Sequence, residues 1–182
     1  MKPQLLLVGL GNPGASYVHT RHNAGFLAID QLSEEFAEGQ WKPAQKFNAE
    51  IQEGRIITVP VLLVKPSTYM NLSGDAVTKL VRFYKIDPAS QLIVFSDDVD
   101  LPLGTVRFRT KGGPGTHNGM KSIVDAIGEG FPRLRVGIGP QPVGQDLATW
   151  VLNKMTKEES LALQSAIDQI PEIVRAFVVG NQ

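Results

Sequence analysis

The chain reads as a single α/β domain spanning residues 1–182, with a mixed central β-sheet flanked by helices. Three observations predict it. Short apolar or β-branched runs alternate along the chain with stretches of helical periodicity, the order expected of layered α/β proteins. The run Leu92-Ile93-Val94-Phe95 is continuously apolar and ends at Ser96-Asp97, as a central strand does when it delivers a carboxylate at its C-terminal end. Finally, 182 residues without internal repeat, low-complexity tract or linker supply one well-filled core and little for a second.

Taken in order, Gln4 to Val8 predicts a buried strand that stops at a glycine turn. Residues 22–38 predict a helix, with Phe26, Ile29, Leu32 and Phe36 at helical spacing. Arg55-Ile56-Ile57-Thr58-Val59 and Val61-Leu62-Leu63-Val64 predict two short strands, Pro60 between them marking an edge or a bend. A helix is expected from Asn71 to Phe83, an edge or antiparallel strand from Thr105 to Thr110, a helix from Asn118 to Gly128 and a strand from Leu134 to Ile138. Thr156-Lys157-Glu158-Glu159 has the capping-box form and opens a last helix, which Pro171 should kink or restart. The stripe Leu163, Ile167, Ile170, Val174 and Phe177 is heptad-like and is expected to pack on its own domain, leaving a monomer.

Composition narrows the chemistry. Cysteine is absent, which excludes disulfides, thiolate nucleophiles and cysteine-based zinc sites, and fits a reducing, cytoplasmic setting. The run Leu5–Leu10 is broken by Gly9 and precedes no small-residue cleavage site, so it reads as a strand and not as a signal peptide or membrane span. Eighteen basic residues balance eighteen acidic ones, which argues against a general polyanion binder. Between Thr105 and Gly137, however, Arg107, Arg109, Lys111, Lys121, Arg133 and Arg135 face only Asp125 and Glu129. Such a stretch is either a solvated surface or a face for a partner touched along a few phosphates.

Two of the three histidines are followed directly by asparagine in glycine-framed turns: Tyr17-Val18-His19-Thr20-Arg21-His22-Asn23-Ala24-Gly25 and Gly113-Pro114-Gly115-Thr116-His117-Asn118-Gly119-Met120-Lys121. Histidine is the side chain best placed to move a proton near neutral pH, and an adjoining amide binds a carbonyl without adding charge. A helix start disfavours the cationic imidazole, so a base at His22 needs a carboxylate, for which Asp97 is the candidate. No serine occupies a Gly-x-Ser-x-Gly elbow, which leaves direct attack by water as the economical mechanism. The same residues also allow structural readings: His22 packing at a helix start, Asn12 making a turn, Asn71 and Asn118 as helix N-caps. Gly9-x-Gly11-x-x-Gly14 imitates a dinucleotide fingerprint. Pro13 and some further residues delay the helix, and Asp30, Glu34 and Glu35 lie inside it, so no nucleotide cofactor is expected. His19-x-x-His22 with Asp97 or Asp98 has the composition of a metal set. His19 precedes the helix start and is expected to be exposed, so no metal is expected either.

Five stretches together carry a resemblance: Gly9-Leu10-Gly11-Asn12-Pro13-Gly14, the Tyr17–Gly25 segment, Lys65-Pro66-Ser67-Thr68-Tyr69-Met70-Asn71-Leu72-Ser73-Gly74, Asp97-Asp98-Val99-Asp100-Leu101-Pro102, and the segment around His117-Asn118. In this order they resemble the bacterial-type peptidyl-tRNA hydrolases over nearly the whole chain. The resemblance implies cleavage of the ester between a peptide and the terminal ribose of tRNA, without cofactor. It implies His22 as the base that activates water, Asp97 as its partner, and Asn12 near the scissile ester. Asn71 and Asn118 would bind the peptide backbone, Tyr17, Tyr69 and Met70 would line the cleft, and His117 would stand behind the reacting groups. Arg107, Arg109 and Arg135 would take acceptor-stem phosphates. A catalytically silent RNA-binding relative is the alternative that the same likeness allows. Two departures stand out: Thr116 replaces the glycine usual before His-Asn-Gly, and Gly139-Pro140-Gln141-Pro142 stands where Gly-His-Pro is frequent.

Overall fold

Among residues 2–181, which a computed structural model of the chain describes, seven strands form one mixed sheet. They are β1 (Leu5–Gly9), β2 (Lys42–Ala44), β3 (Ala49–Ile56), β4 (Val59–Pro66), β5 (Leu92–Asp98), β6 (Val106–Arg109) and β7 (Arg133–Gly137), in spatial order β2-β3-β4-β1-β5-β7-β6. The centre β4-β1-β5-β7 is parallel, while β2-β3, β3-β4 and β6-β7 pair antiparallel. Side chains alternate along β1: Leu5 and Leu7 point into one apolar layer, Leu6 and Val8 into the other. Both layers are covered by helices, which is why residues 5–8 of β1 and 92–95 of β5 are continuously apolar.

The helices are α1 (Ala24–Phe36), α2 (Ser73–Tyr84), α3 (Pro88–Gln91), α4 (Asn118–Ile127), α5 (Leu147–Leu152), α6 (Lys157–Ile167) and α7 (Ile170–Gly180). Residues of α1, α6 and α7 fill the layer with Leu5 and Leu7, and residues of α2 and α4 fill the other. The fold class is as the sequence predicts. The capping box forms in both halves, Glu159 N–H to Thr156 Oγ1 at 3.2 Å and Thr156 N–H to Glu159 Oε2 at 2.7 Å. Pro171 restarts the helix: α6 stops at Ile167, and α7 places the proline in its first turn, where no N–H is needed. The stripe Leu163, Ile167, Ile170 and Val174 is buried within the domain, and Phe177 meets Phe108 with ring centroids 5.7 Å apart.

Three local expectations are corrected. Ile57 and Thr58 are not in a strand but form the hairpin turn, Ile57 at φ 58°, and β3 instead begins at Ala49. Pro60 marks no edge, since β4 lies between β3 and β1. Its carbonyl accepts from Gln4 N–H at 2.9 Å, so its missing donor faces β1 just before pairing begins at Leu5 and Val61. The helices predicted from 22 and from 71 each open with a single 3₁₀ turn, Arg21–Asn23 and Met70–Leu72. The short β2, α3 and α5 carry too few residues for a periodicity to show.

Gly25 sets the approach of α1 to the sheet. A Cβ there would lie 2.4 Å from Phe95 O and 2.5 Å from Leu10 O, so only glycine lets the helix start rest on the strand ends. The turn carrying His22 is thereby brought against the end of β5.

Candidate active site

Asp97 lies near the C-terminal end of β5, 4% exposed, between two imidazoles. His22 Nδ1 is 3.0 Å from both of its carboxylate oxygens. His117 Nε2 approaches Oδ1 at 2.8 Å, and the two rings lie 4.7 Å apart. The tautomers follow from the network. His117 Nδ1 accepts the N–H of Met120 at 3.1 Å, so its proton sits on Nε2 and is donated to Asp97. His22 likewise donates from Nδ1, which leaves its Nε2 as a lone-pair base. That atom has no protein hydrogen-bond partner and is not among the buried orphan atoms, so it meets the open cleft.

The electrostatics match this arrangement. Burial alone would raise the Asp97 pKa, but the two histidines and the hydrogen bonds they donate outweigh it and hold the carboxyl well below its usual range. For His22 burial would lower the value, and the charge and hydrogen bond of Asp97 outweigh it, leaving the ring above its ordinary 6.5. The carboxylate that a base at a helix start requires is therefore present.

Asn12 follows β1 and is 6% exposed. Its Oδ1 accepts Met70 N–H at 2.8 Å, its N–H donates to Asn23 Oδ1 at 2.9 Å, and its carbonyl accepts from Asn23 Nδ2 at 3.0 Å. These bonds fix the amide's orientation and leave Nδ2 without a protein partner, with access to solvent. Asn23, in the sequence only an amide adjoining His22, is the group that holds Asn12. The signal was present in the His22-Asn23 pair, but a helix-start asparagine reads first as a cap, and here its side chain caps nothing.

Asn118 and Asn71 are not N-caps either. His117 caps α4 in place of Asn118, and no side chain caps the Met70–Leu72 turn or α2. Both amides are exposed and free to bind another molecule. Tyr69 is 60% exposed and Tyr17 half-buried, whereas Met70 is 5% exposed within the α2–α4 layer and meets Asn12 through its backbone N–H. A Cβ on Gly119 would lie 2.4 Å from Met70 Sδ and 3.1 Å from His117 Cε1, so this glycine lets the two pack together.

A cleft of about 420 Å³ opens over His22, Asp97, His117 and Asn118, walled on one side by Asp146, Leu147, Ala148 and Val151. The antiparallel register sets Arg107 opposite Arg135 and Arg109 opposite Arg133, all on one face of the sheet edge. Their fates differ. Arg133 is 2% exposed, lies over the Phe131 ring and donates to the carbonyls of Gly113, Glu129 and Phe131. Arg135 pairs with Asp98 at 2.7 Å, with Nε and Nη2 buried and unpartnered. Arg107 and Arg109, with Lys111 and Lys121, are exposed and form the open basic face.

The His19-x-x-His22 set does not assemble: His19 is exposed and is not in the group of possible ligands found among the described residues. Instead His22, Asp97 and His117 offer ligand atoms within 4.8 Å of one another, atoms already engaged in the hydrogen bonds above. No hydroxyl of the described residues hydrogen-bonds His22. Fold and site thus define a class: an α/β protein carrying a carboxylate-held histidine at the C-terminal end of its parallel strands, suited to general-base chemistry on water. Comparison with known proteins makes this specific. The family model described as peptidyl-tRNA hydrolase matches residues 6–182. A peptidyl-tRNA hydrolase of Chloroflexus aurantiacus is 48% identical over 95% of this chain and 92% of its own, and one of Rickettsia bellii is 43% identical over 92% and 90%. The crystal structure of peptidyl-tRNA hydrolase from Acinetobacter baumannii superposes with TM-score 0.91 at 39% identity, covering 99% of this chain and 91% of that one. The chain belongs to the peptidyl-tRNA hydrolase family.

Proposed function

We propose that this chain hydrolyses peptidyl-tRNA at the ester joining the peptide to the 3′-terminal ribose, with His22 as general base. The observation that carries the reading is the open Nε2 of a ring whose Nδ1 is held by a buried carboxylate. Water attacks the ester carbonyl as Nε2 takes its proton, and the ribose hydroxyl leaves with a proton returned by the imidazolium. Asp97 keeps the working tautomer and stabilises the imidazolium. General-base help of this kind is worth about 10²–10⁴-fold.

Asn12 Nδ2 is the donor available to the ester carbonyl as charge develops on its oxygen. Asn71 and Asn118 hold the peptide backbone, and Tyr17 and Tyr69 meet the acceptor end, where an aromatic ring can stack on a base. Arg107 and Arg109 take acceptor-stem phosphates, with Arg135 completing the basic wall beside the cleft. Selectivity follows from the neutral amides. A peptidyl group offers an uncharged amide to pair with them, whereas a free aminoacyl group brings an ammonium and leaves them unpaired. The enzyme works without cofactor, as a cytoplasmic monomer.

The test compares release of N-acetyl-aminoacyl and free aminoacyl groups from one tRNA. Cleavage of only the blocked ester is expected. Failure to cleave either, with tRNA still bound, would replace this reading with that of a silent RNA-binding relative.

A further inference from the structure

Arg21, immediately before His22, is 5% exposed, and no step of the reaction uses it. Its guanidinium carbon stands 3.4 Å from the centroid of the Trp150 ring. Nη1 donates to the carbonyls of Trp150 and Asn153 at 3.1 and 3.4 Å, and Nη2 to both carboxylate oxygens of Glu159 at 2.9 and 2.8 Å. The backbone repeats the link: Arg21 N–H donates to Asn153 O at 3.2 Å, Met155 N–H to His19 O at 3.0 Å, and Thr20 bridges Lys154. One side chain therefore joins three things: the turn carrying His22, the carbonyl end of α5, and the capping box of α6. A planar cation that stacks and donates in a fork does this, and an ammonium cannot.

The clamp holds the wall of the cleft. Asp146, Leu147, Ala148 and Val151 line it, yet from 140 to 151 only Val151 is buried. Beyond bonds internal to the stretch, Trp150 Nε1 donates to Gly139 O at 3.3 Å, and Leu147 and Trp150 pack beside Val151 at the margin of the apolar layer. The His22 turn, by contrast, is fixed independently through Asn23 to Asn12 and through His22 to Asp97. We infer that Arg21 is a positioning residue that sets the α5 wall against the His22 turn, and so governs substrate binding rather than proton transfer. This rests on the reading of the cleft as the peptidyl-tRNA site.

Glu159→Gln isolates the link, because glutamine still closes the capping box but cannot offer two anionic oxygens to Arg21. The expected result is a KM for N-acetyl-aminoacyl-tRNA raised roughly tenfold with kcat within about twofold, as when uniform binding is lost. The pH profile of kcat should stay in place, and tryptic cleavage after Lys154 should accelerate. Thr156→Ala, which breaks the capping box and spares the Arg21 contact, should lower Tm without moving KM. Arg21→Lys should reproduce the Glu159→Gln phenotype rather than the wild type. Unchanged KM with wild-type proteolysis in Glu159→Gln would overturn the inference, as would a fall in kcat at constant KM, or a Thr156→Ala enzyme with the same raised KM. Proteolysis judges the clamp whatever the wild-type enzyme cleaves, so a failed esterase assay and a failed clamp are distinguishable.

Discussion

Replacing Asp97 by asparagine keeps the shape of the side chain and removes a charge that is 4% exposed between two imidazoles. His117 is locked as a donor from Nε2 because its Nδ1 accepts from Met120, so the oxygen of the new amide must take the Oδ1 position at 2.8 Å. The amide nitrogen then falls where Oδ2 now lies and its N–H opposes that of His22 Nδ1, 3.0 Å away, while the amide oxygen stays 3.0 Å from the same atom but is shared with His117. One shared neutral acceptor and one opposed donor favour moving the His22 proton to Nε2, which would take that atom out of use as the proposed base. Breaking a buried ion pair of this kind costs about 3–5 kcal/mol, which corresponds to about 10²–10⁴ in rate. Steady-state kcat on N-acetyl-aminoacyl-tRNA should fall by that factor, with KM little changed. ¹⁵N spectra of the imidazole should show the exchanged tautomer. A kcat within tenfold of wild type would refute the reasoning. The pH dependence supplies a second check. As the proposed base His22 would act once deprotonated, and its pKa is raised, so the acid limb of the wild-type kcat profile should lie above 6.5. In the variant only burial acts on the ring, so any residual limb should move to lower pH. In stability terms the His22 contribution is complete below its unfolded value and is lost as pH rises through the folded one. The Asp97 contribution is present above its unfolded value of 3.8 and is lost as pH falls through its lower folded value.

Asn12→Asp keeps the acceptor for Met70 N–H but replaces the free donor with a negative oxygen; kcat should drop about 10²–10³-fold while circular dichroism stays native. Gly25→Ala sets a methyl against two backbone oxygens that cannot yield, and chemical denaturation should register a loss of about 3 kcal/mol, with His22 displaced from Asp97 and activity lost besides. Alanine at Arg107 or Arg109, both exposed, should each reduce the slope of log Kd for tRNA against log salt by about 1 and leave Tm unchanged. The same substitution at Arg133 should instead unfold the protein at lower temperature, because the carbonyls of Gly113 and Phe131 lose the donor that Arg133 supplies.

Much of the site was legible because its residues end recognisable elements. Asp97 could be placed because an apolar run with no alternation stops just before it, and His22 because a helical pattern begins just after it. What was not legible depends on chain segments meeting from far apart. Arg133 counts as surface charge in the sequence and becomes interior only because residues 113 and 129 return their carbonyls to it. His117 takes over the capping of α4, leaving Asn118 outward, a choice that a motif with two capping-capable residues in succession cannot reveal. Ile57 has a strand former's side chain but stands in the left-handed region, where the tight hairpin overrides its propensity.

The sheet ends in two free edges, β2 and β6. β2 is three residues long and carries Pro43, while β6 is four residues long and presents Arg107 and Arg109 to solvent. Short strands, proline and charge are the features that keep a sheet margin from accepting another strand. For a protein whose substrate is an unfolded chain, this matters. A nascent peptide that met a bare strand edge would be captured along its backbone regardless of what it was attached to. Here it finds no such template, and under the proposed reading recognition falls to the amides around the cleft, which would engage the segment beside the ester and release it once that bond is cut.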